Sequence, residues 1–422
     1  MRIYTSESVS VGHPDKLADQ ISDALLDTFL VVEDKKHFGR TRVAIETLLT
    51  RGLAVVAGEV RTEGYVDVAE VVRETIANTG YVHTDYGFDG RTCGVMVAIQ
   101  EQSPDIAQGV DADAAHKENK EVGAGDQGMM FGYATNDTEE LMPLPLAISH
   151  ALTAQSVRVR QEMDPEHKNP RLLPDAKSQV SVEYGKDGKP IRVNTIVLSH
   201  QHAKGLILEE VKATVRERII NPVLAQFSRY VDGDPILHIN PTGKFEVGGP
   251  QGDTGVTGRK IIVDTYGGMA PHGGGAFSGK DPTKVDRSAA YMARHIAKNV
   301  VAAGLAERCE VQLAYAIGVA QPVAVNVETF GTSEIDPEDI ADRVQQVYNL
   351  TPSGIIKYLG LLEPTCLATS PGIAKLLCEG KLDAAEVSNK DGGWNYHMTA
   401  QNGHFGHSRF PWESTKDSAK LK

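Results

Sequence analysis

The sequence predicts an α+β fold with three similar domains, each a largely antiparallel or mixed sheet with helices on one face. Three observations support this prediction. Apolar residues recur at helical spacing in some segments and alternate with polar residues in others. The order helix, hairpin, helix, strand can be followed three times along the 422 residues. Tight turns join the alternating segments, and this favours antiparallel pairing.

The first unit opens with a short strand over 1–4 and a helix that begins at Pro14. Proline suits the first helical position, and leucine and isoleucine residues then form an apolar face. Alternation around Arg51-Gly52 predicts a hairpin over 41–60. A second helix over 65–78 and a buried strand over 92–99 complete the unit.

The other two units repeat this order without repeating residue identities. The second contains a helix, a hairpin, a helix and a strand, predicted over 143–162, 179–199, 206–220 and 236–239. The third contains a helix, a hairpin and a helix, predicted over 282–303, 310–329 and 336–348, and a strand is predicted before them over 261–266. Asp187-Gly188 is a typical hairpin turn, and Asp336-Pro337 is a typical helix start.

These units predict an N-terminal domain, a central domain and a C-terminal domain at 1–102, 122–246 and 248–413. The polar, acidic segment 103–121 is predicted to be a mobile loop that covers a site. Residues 364–402 are predicted to be an insertion that contains a short helix over 372–377. The residues after Trp412 are polar, and we expect them to fray.

Composition indicates a globular protein, since 41% of residues are hydrophobic and 23% are charged. No apolar run is long enough to predict a membrane span. The net charge of −13 argues against a nucleic-acid binder. The four cysteines are widely spaced, which predicts neither a zinc site nor a disulfide framework and favours a reducing cytoplasm.

Residues 273–286 combine glycines with closely spaced lysine and aspartate residues more densely than any other segment of the chain. Three consecutive glycines allow the backbone to approach a ligand closely. We expect a helix to begin at Asp281-Pro282. Lys280 then lies directly before its N-terminus, and Lys284 and Asp286 lie in its first turns. A helix N-terminus, a glycine-rich loop and two ammonium groups predict an anion site suited to phosphates.

Two stretches of the chain resemble nucleotide-binding motifs, but the residues that follow each stretch do not fit the motif. Residues 274–280 match most of a P-loop, but Asp281 stands where a Ser or Thr would hold Mg²⁺. Residues 123–128 match the dinucleotide pattern Gly-x-Gly-x-x-Gly, but the next residues predict a strand where a helix is required. We therefore predict neither a P-loop NTPase nor a Rossmann site.

His13, Asp15 and Lys16 lie together at a predicted helix start. One interpretation is a capped helix with solvated charges. The functional interpretation is a histidine that donates to a phosphate oxygen and a carboxylate that holds Mg²⁺, with Asp286 as a second magnesium ligand. Further cations, an aromatic face for a purine and acids occur at Asp175, Lys177, Phe245, Asp253, Arg259 and Lys260, although each alone could be a surface residue.

Five stretches together resemble the S-adenosylmethionine synthetase (methionine adenosyltransferase) family. They read Gly-His-Pro-Asp-Lys at 12–16, Gly-Ala-Gly-Asp-Gln-Gly at 123–128, Asp-Ala-Lys-Ser-Gln at 175–179, Gly-Arg-Lys-Ile-Ile-Val-Asp-Thr-Tyr at 258–266 and Gly-Gly-Gly-Ala-Phe-Ser-Gly-Lys-Asp at 273–281. The similarity runs over 5–362 and 403–413. It implies a pseudo-threefold arrangement of the domains and a dimer, often paired into a tetramer, with active sites shared between subunits.

The resemblance implies that methionine sulfur attacks C5′ of ATP, and that the released triphosphate is hydrolysed to pyrophosphate and phosphate. It implies Mg²⁺, two ions per site, and K⁺. Catalytic roles are implied for His13, Lys177, Arg259 and Lys280. ATP contacts are implied for His13, Asp175, Lys177, Lys244, Phe245, Asp253, Arg259, Lys260, Ala276 and Lys280. Methionine contacts are implied for Glu59, Gln102, Asp253 and Lys284, magnesium ligation for Asp15 and Asp286, and potassium ligation for Glu46.

The chain departs from the family pattern at two site positions. Val11 stands where the family usually carries Glu, and Lys244 replaces a usual Arg, which keeps the cation but loses the planar fork. Two other functions stay open at this point. The same lysine and arginine residues could bind ATP in an ATP-dependent phosphotransferase or ATPase, or in a nucleotide sensor without catalysis.

Overall fold

The computed structural model describes residues 2–33, 39–101, 123–168 and 170–422. The eleven strands named here are β1 Arg2–Val9, β2 Arg42–Thr50, β3 Leu53–Arg61, β4 Gly94–Glu101, β5 Gly128–Thr135, β6 Leu172–Tyr184, β7 Pro190–His202, β8 Ile236–Ile239, β9 Gly255–Val256, β10 Arg308–Tyr315 and β11 Ala324–Glu328. The helices are α1 Pro14–Val32, α2 Val68–Asn78, α3 Leu144–Met163, α4 Leu208–Val215, α5 Asn221–Gln226, α6 Ile261–Asp264, α7 Val285–Ala302, α8 Pro337–Val347, α9 Pro352–Leu359, α10 Pro371–Cys378 and α11 Tyr396–Thr399.

The strands form three sheets, in the orders β4-β3-β2-β9, β1-β6-β7-β8 and β11-β10-β5. Pairing is antiparallel except for β3 with β4 and β7 with β8, so two sheets are mixed and one is antiparallel. One long helix covers each sheet: α1 packs on β2, α3 on β6 and β1, and α7 on β5 and β10. The predicted α+β fold with sheets and helices in layers is therefore confirmed.

Each sheet contains one strand that comes from a different predicted domain. β1 pairs with β6 over its whole length, from Arg2↔Tyr184 to Val9↔Lys177. β5 pairs in the same way with β10, and β9 pairs with β2. The exchange is cyclic, because the first strand of each predicted domain lies in the sheet of another. The boundaries at 1–102, 122–246 and 248–413 stay a prediction.

Three predictions of local secondary structure are wrong, and the strand predicted to be buried over 92–99 is the edge strand β4, on which Met96 is exposed. The segment 261–266, predicted as a strand, instead contains the short helix α6 over 261–264, and the strand before it is the two-residue β9, which pairs with β2. The helix predicted from Pro282 begins at Val285, because the Asp281 carboxylate is occupied by the backbone N–H of Val43 (2.7 Å) and of Thr283 (2.9 Å). The helix predicted to stop before Asn221 continues through a π-helical turn into α5.

The C-terminal tail does not fray. Glu413 and Asp417 are buried, and the Glu413 carboxylate receives hydrogen bonds from Arg294 (2.9 Å) and Lys298 (2.7 Å). In the predicted insertion, α10 packs against α1 and α2, and Ile373 is buried with Leu367 and Val387. The insertion therefore belongs to the helical layer of the first sheet. The predicted mobile loop at 103–121 lies outside the described residues.

Among the described helices, none combines the length and the apolar character that crossing a membrane requires.

Candidate active site

Two loops from the third unit lie against the same edge of β2. The opposite edge is occupied by β3 along its whole length. Val256 pairs with Leu48, while Lys280 forms a bridge with Ala44 and the Gly279 carbonyl accepts from Ile45 N at 2.9 Å. The two signature stretches of the third unit, 258–266 and 273–281, are thereby brought to one strand edge of the first sheet.

The first of the two clusters on this edge surrounds the Asp15 carboxylate. Its Oδ2 lies 2.6 Å from Lys260 Nζ, and its Oδ1 accepts from the backbone N–H of Val256 at 3.0 Å. Arg259 Nε lies 3.8 Å away. Burial opposes ionisation, but the hydrogen bonds from Lys260 and Val256 hold the pKa of Asp15 below its usual range. Asp15 is therefore an anion that α1 presents at its first turn.

His13 is the N-cap of α1 and is buried. Its Nδ1 accepts a hydrogen bond from Asp15 N at 3.2 Å, which leaves the ring proton on Nε2. Burial, and then the charges of Lys260 and Lys177, lower the pKa of His13 from 6.5 to about 3. The imidazole is therefore neutral at physiological pH and can donate one hydrogen bond through Nε2.

The second cluster surrounds the Asp286 carboxylate in the first turn of α7. Lys280 Nζ lies 2.5 Å from Asp286 Oδ2. Gly275 lies against the same carboxylate, since a Cβ added there would be 2.4 Å from Asp286 Oδ1. Lys284 does not join this pair: its Nζ lies 2.5 Å from Asp281 Oδ2. The two lysines that the sequence places four residues apart thus serve different carboxylates.

Ala276 connects the two clusters. A Cβ added at Gly258 would lie 2.5 Å from the Ala276 Cβ, and Gly258 has a φ of +79°. Gly258 directly precedes Arg259 and Lys260, so the glycine-rich loop touches the segment that carries the cations of the first cluster. A side chain at position 258 would force the two loops apart.

Asp175 and Phe245 lie at the end of the central sheet, and Asp175 is close enough to the first cluster for the charge of Lys260 to act on it. Asp175 Oδ2 accepts from Gly249 N at 2.9 Å, and burial raises the pKa of this carboxyl to about 6. Its Oδ1 is buried and has no hydrogen-bond partner in the part of the chain that the structure describes. Phe245 is fixed by its backbone N–H, which donates to His202 Nε2 at 3.1 Å. Lys244 is exposed, 3.6 Å from Glu246.

The predicted potassium and methionine residues are less closely assembled. Glu46 and Glu59 are exposed on neighbouring strands, opposite Ala57 and Ala44, so both point from the same open face of the first sheet. Asp253 is exposed, and its Oδ1 accepts from Thr254 N at 2.9 Å. Gln102 lies outside the described residues. In the described part of the chain, the three carboxylates of this predicted group are all exposed.

Sequence reasoning missed the residues that support both clusters. Four aspartates recur every four residues along α1 and are buried: Asp15, Asp19, Asp23 and Asp27. They accept hydrogen bonds from backbone N–H groups of three segments: Asp15 and Asp19 from Val256 (3.0 Å) and Gly258 (2.8 Å) of one segment, Asp23 from Gly279 (2.9 Å), and Asp27 from Tyr396 and His397 (2.9 and 3.0 Å). We call this row the aspartate ladder.

Asp19 and Asp23 position the two loops through backbone N–H groups, while the loop lysines Lys260 and Lys280 pair with Asp15 and Asp286. Asp19 supports the loop of Arg259 and Lys260, and Asp23 supports the loop of Lys280. The spacing was visible in the sequence, because identical acidic residues at i, i+4 share one helix face. Lys16, which the signature places beside Asp15, belongs to this support: it is buried between Asp19 (3.1 Å) and Asp264 (2.6 Å).

Family models match the chain in three consecutive stretches. They are the N-terminal, central and C-terminal domains of S-adenosylmethionine synthetase, at residues 1–104, 121–245 and 247–414. Three relatives are each called S-adenosylmethionine synthase. Those from Nocardioides sp., Petrotoga mobilis and Pseudothermotoga lettingae are 52%, 47% and 50% identical, and each alignment covers 100% of this chain and 98% of the relative. The chain therefore belongs to the S-adenosylmethionine synthetase family.

Proposed function

We propose that this chain forms S-adenosylmethionine from ATP and L-methionine. The observation that carries the proposal is the alignment of two lysine–carboxylate pairs, Lys260 with Asp15 and Lys280 with Asp286, along one edge of β2. A buried neutral histidine lies beside the first pair. This arrangement suits a substrate that carries several phosphates and a metal ion.

In the proposed reaction, a lone pair of the methionine sulfur forms the S–C5′ bond. The C5′–O bond of ATP breaks, and triphosphate departs with the bonding electrons. The neutral sulfur needs no general base, so the chain has to stabilise the leaving group. His13 donates from Nε2, while Lys177, Arg259 and Lys280 supply positive charge where negative charge grows. The same groups would then hold triphosphate while water cleaves it to pyrophosphate and phosphate.

The remaining contacts are proposed from the resemblance of the signature stretches to the family. Asp175 and Phe245 would hold the nucleoside, with Lys244, Lys260 and Ala276 along the phosphates. Glu59, Gln102, Asp253 and Lys284 would bind methionine, with Asp253 close to both substrates. Lys284 is held by Asp281 in the free chain, so binding the methionine carboxylate requires its ammonium group to exchange partners.

Members of this family generally need metal ions, and we propose Mg²⁺, two per site, and K⁺. No group of three or more His, Cys, Asp or Glu side chains in the described ranges could hold a metal by itself. This suits Mg²⁺, which commonly takes one or two carboxylates and completes its shell with substrate phosphates and water. Asp15 and Asp286 would be these carboxylates, and Glu46 would bind K⁺. Bound Mg²⁺ would neutralise part of the charge on the departing triphosphate.

We also propose that two copies associate through the open sheet faces, as a dimer or a dimer of dimers, in the cytoplasm. Each sheet presents an apolar side chain on the face opposite its covering helix: Ile3 is 57%, Met96 57% and Met129 52% exposed. Apolar residues on several adjoining faces favour a protein partner. Glu46 and Glu59 lie on one of these faces, so a second copy would complete the methionine side of the site.

The direct test is incubation with ATP and methionine, with and without K⁺, followed by separation of the products. We expect S-adenosylmethionine, pyrophosphate and phosphate, formed only when methionine is present and faster with K⁺. Methionine-independent release of ADP would instead identify a phosphotransferase or ATPase. Tight ATP binding without any product would identify a nucleotide sensor.

A further inference from the structure

A second cationic cleft, of about 480 Å³, lies where the β6–β7 turn meets the start of β10. Its walls are Arg2 and Tyr4 of β1, the turn 184–188, Arg308, and the turn 330–332. It shares no lining residue with the candidate active site. The cleft is formed by the strand exchange, since Arg2 reaches the turn only because β1 pairs with β6.

Three cations line this cleft without a carboxylate partner. Neither Arg2, Lys186 nor Arg308 has an ion pair or a side-chain hydrogen bond within the described ranges, although cations close by in sequence are paired. Lys189 lies 2.9 Å from Glu307, and Arg192 lies 2.8 Å from Glu183. The one carboxylate in the wall is Asp187, and its Oδ1 accepts from the backbone N–H of Lys189 at 3.2 Å.

The Arg308 guanidinium is held in place by packing. It lies over the Phe330 ring at 5.2 Å from the centroid. On another side it lies against the backbone of Gly188, where an added Cβ would be 3.1 Å from the guanidinium and where φ is +78°. Its N–H donors therefore have a fixed direction and no acceptor in the described part of the chain. A planar, oriented guanidinium with free donors is suited to phosphate oxygens.

We propose that this cleft binds a small polyphosphate anion at a site separate from the active site. Three unpaired cations oppose the net charge of −13 and so form a local positive potential that selects anions. The volume exceeds what one phosphate needs and accepts a diphosphate. The ligand could be inorganic or the diphosphate of a nucleotide, because both present the same oxygens to Arg2, Lys186 and Arg308.

The test is calorimetric titration of the full chain with inorganic pyrophosphate, and in a second series with ADP. We expect two binding events per chain in the unaltered protein. Arg2→Gln with Lys186→Gln, both at exposed positions, removes one event or weakens it by about tenfold or more, since charge-assisted hydrogen bonds are lost. Arg308→Gln does the same, and its thermal unfolding is compared with that of the unaltered chain to verify folding.

The complementary variant is Lys177→Ala with Arg259→Ala, which weakens the active-site event and leaves the cleft intact. The proposal is supported if this variant still binds pyrophosphate in one event, and if that event disappears when Arg2→Gln and Lys186→Gln are added. Tighter binding of ADP than of pyrophosphate assigns the site to nucleotides, and equal binding assigns it to inorganic polyphosphate. A single event in the unaltered chain that survives the cleft substitutions overturns the proposal, whatever the outcome for S-adenosylmethionine synthesis.

Discussion

Asp23 holds a loop and a buried cation at the same time. Its Oδ1 accepts from the backbone N–H of Gly279 at 2.9 Å, and its two carboxylate oxygens lie 2.7 and 2.9 Å from the terminal nitrogens of Arg287. Both side chains are completely buried. One residue of α1 thus links the loop of Lys280 to the interior of α7, and the candidate site depends on a buried ion pair for its geometry.

Replacing Asp23 with Asn should destabilise the protein strongly. The substitution leaves the buried Arg287 guanidinium without its counter-charge, and such a loss costs roughly 3–5 kcal/mol. Denaturant unfolding followed by circular dichroism measures the change. The matched control is Glu307→Gln, which breaks the exposed pair with Lys189 and should cost about 0–1 kcal/mol. Equal losses in the two variants would refute the structural role given to Asp23.

His13→Ala should impair adenosyl transfer far more than ATP binding. The Nε2 donor acts on charge that develops only as triphosphate leaves, and removing one such donor typically lowers the rate by about 10²–10³-fold. Single-turnover kinetics and equilibrium ATP binding separate the two effects. The exposed His238 provides the control variant, His238→Ala, with an unchanged rate. If ATP affinity and turnover fell by the same factor, His13 would have no transition-state role.

The His13 ring should stay neutral throughout the physiological pH range. Its folded-state pKa is about 3, below the ordinary 6.5, because of burial and the charges of Lys260 and Lys177. Below pH 6.5 the unfolded chain gains a proton here that the folded chain does not, so this group's contribution to stability decreases as pH falls. In NMR spectra of protein with ¹³C-labelled histidine, the His13 signal is the one that is missing from the spectrum of His13→Gln. Its chemical shift should not change between pH 8 and 5. A titration midpoint near 6.5 would contradict the lowered pKa of His13.

Gly275→Ala should raise the Mg²⁺ concentration needed for activity. The new Cβ would lie 2.4 Å from Asp286 Oδ1 and displace the proposed ligand, and disturbed ligation commonly weakens metal affinity about 10–100-fold. Activity measured against Mg²⁺ concentration gives the shift. Gly274→Ala is the neighbouring control, because its Cβ would meet no atom of the described residues within 4 Å, and its φ of +99° is the source of strain. The idea fails if the two variants have the same Mg²⁺ dependence.

Met96→Glu should produce monomers with little activity. A carboxylate at this exposed position on the open face of the first sheet would be buried against the second copy without a partner. Light scattering after size exclusion reports the mass, and the transfer assay reports function. Ile207→Glu changes an equally exposed apolar residue next to α4 and should leave the assembly intact. An active, unchanged oligomer of Met96→Glu would argue against association through this face.

Much of the fold was predictable because its signals are local. Hairpins at Arg51-Gly52 and Asp187-Gly188, the strand 236–239 and the helix starts at Pro14 and Pro337 follow from side-chain periodicity and turn chemistry. The candidate site was recognisable for the same reason. Glycines, lysines and carboxylates in short signatures indicate phosphate chemistry before any tertiary contact is known, and the similarity to S-adenosylmethionine synthases is also carried by sequence.

The sequence by itself therefore determined the element types, the family and the chemical character of the site. Tertiary structure alone decided the cyclic strand exchange, the helical conformation of 261–264 and the start of α7 at Val285, because each depends on partners far away in the chain. It also decided the charge state of His13, which burial sets, and the support of Gly258 and Gly279 by Asp19 and Asp23. Local pattern selects an element, but pairing between distant segments determines which loops meet and which charges are buried.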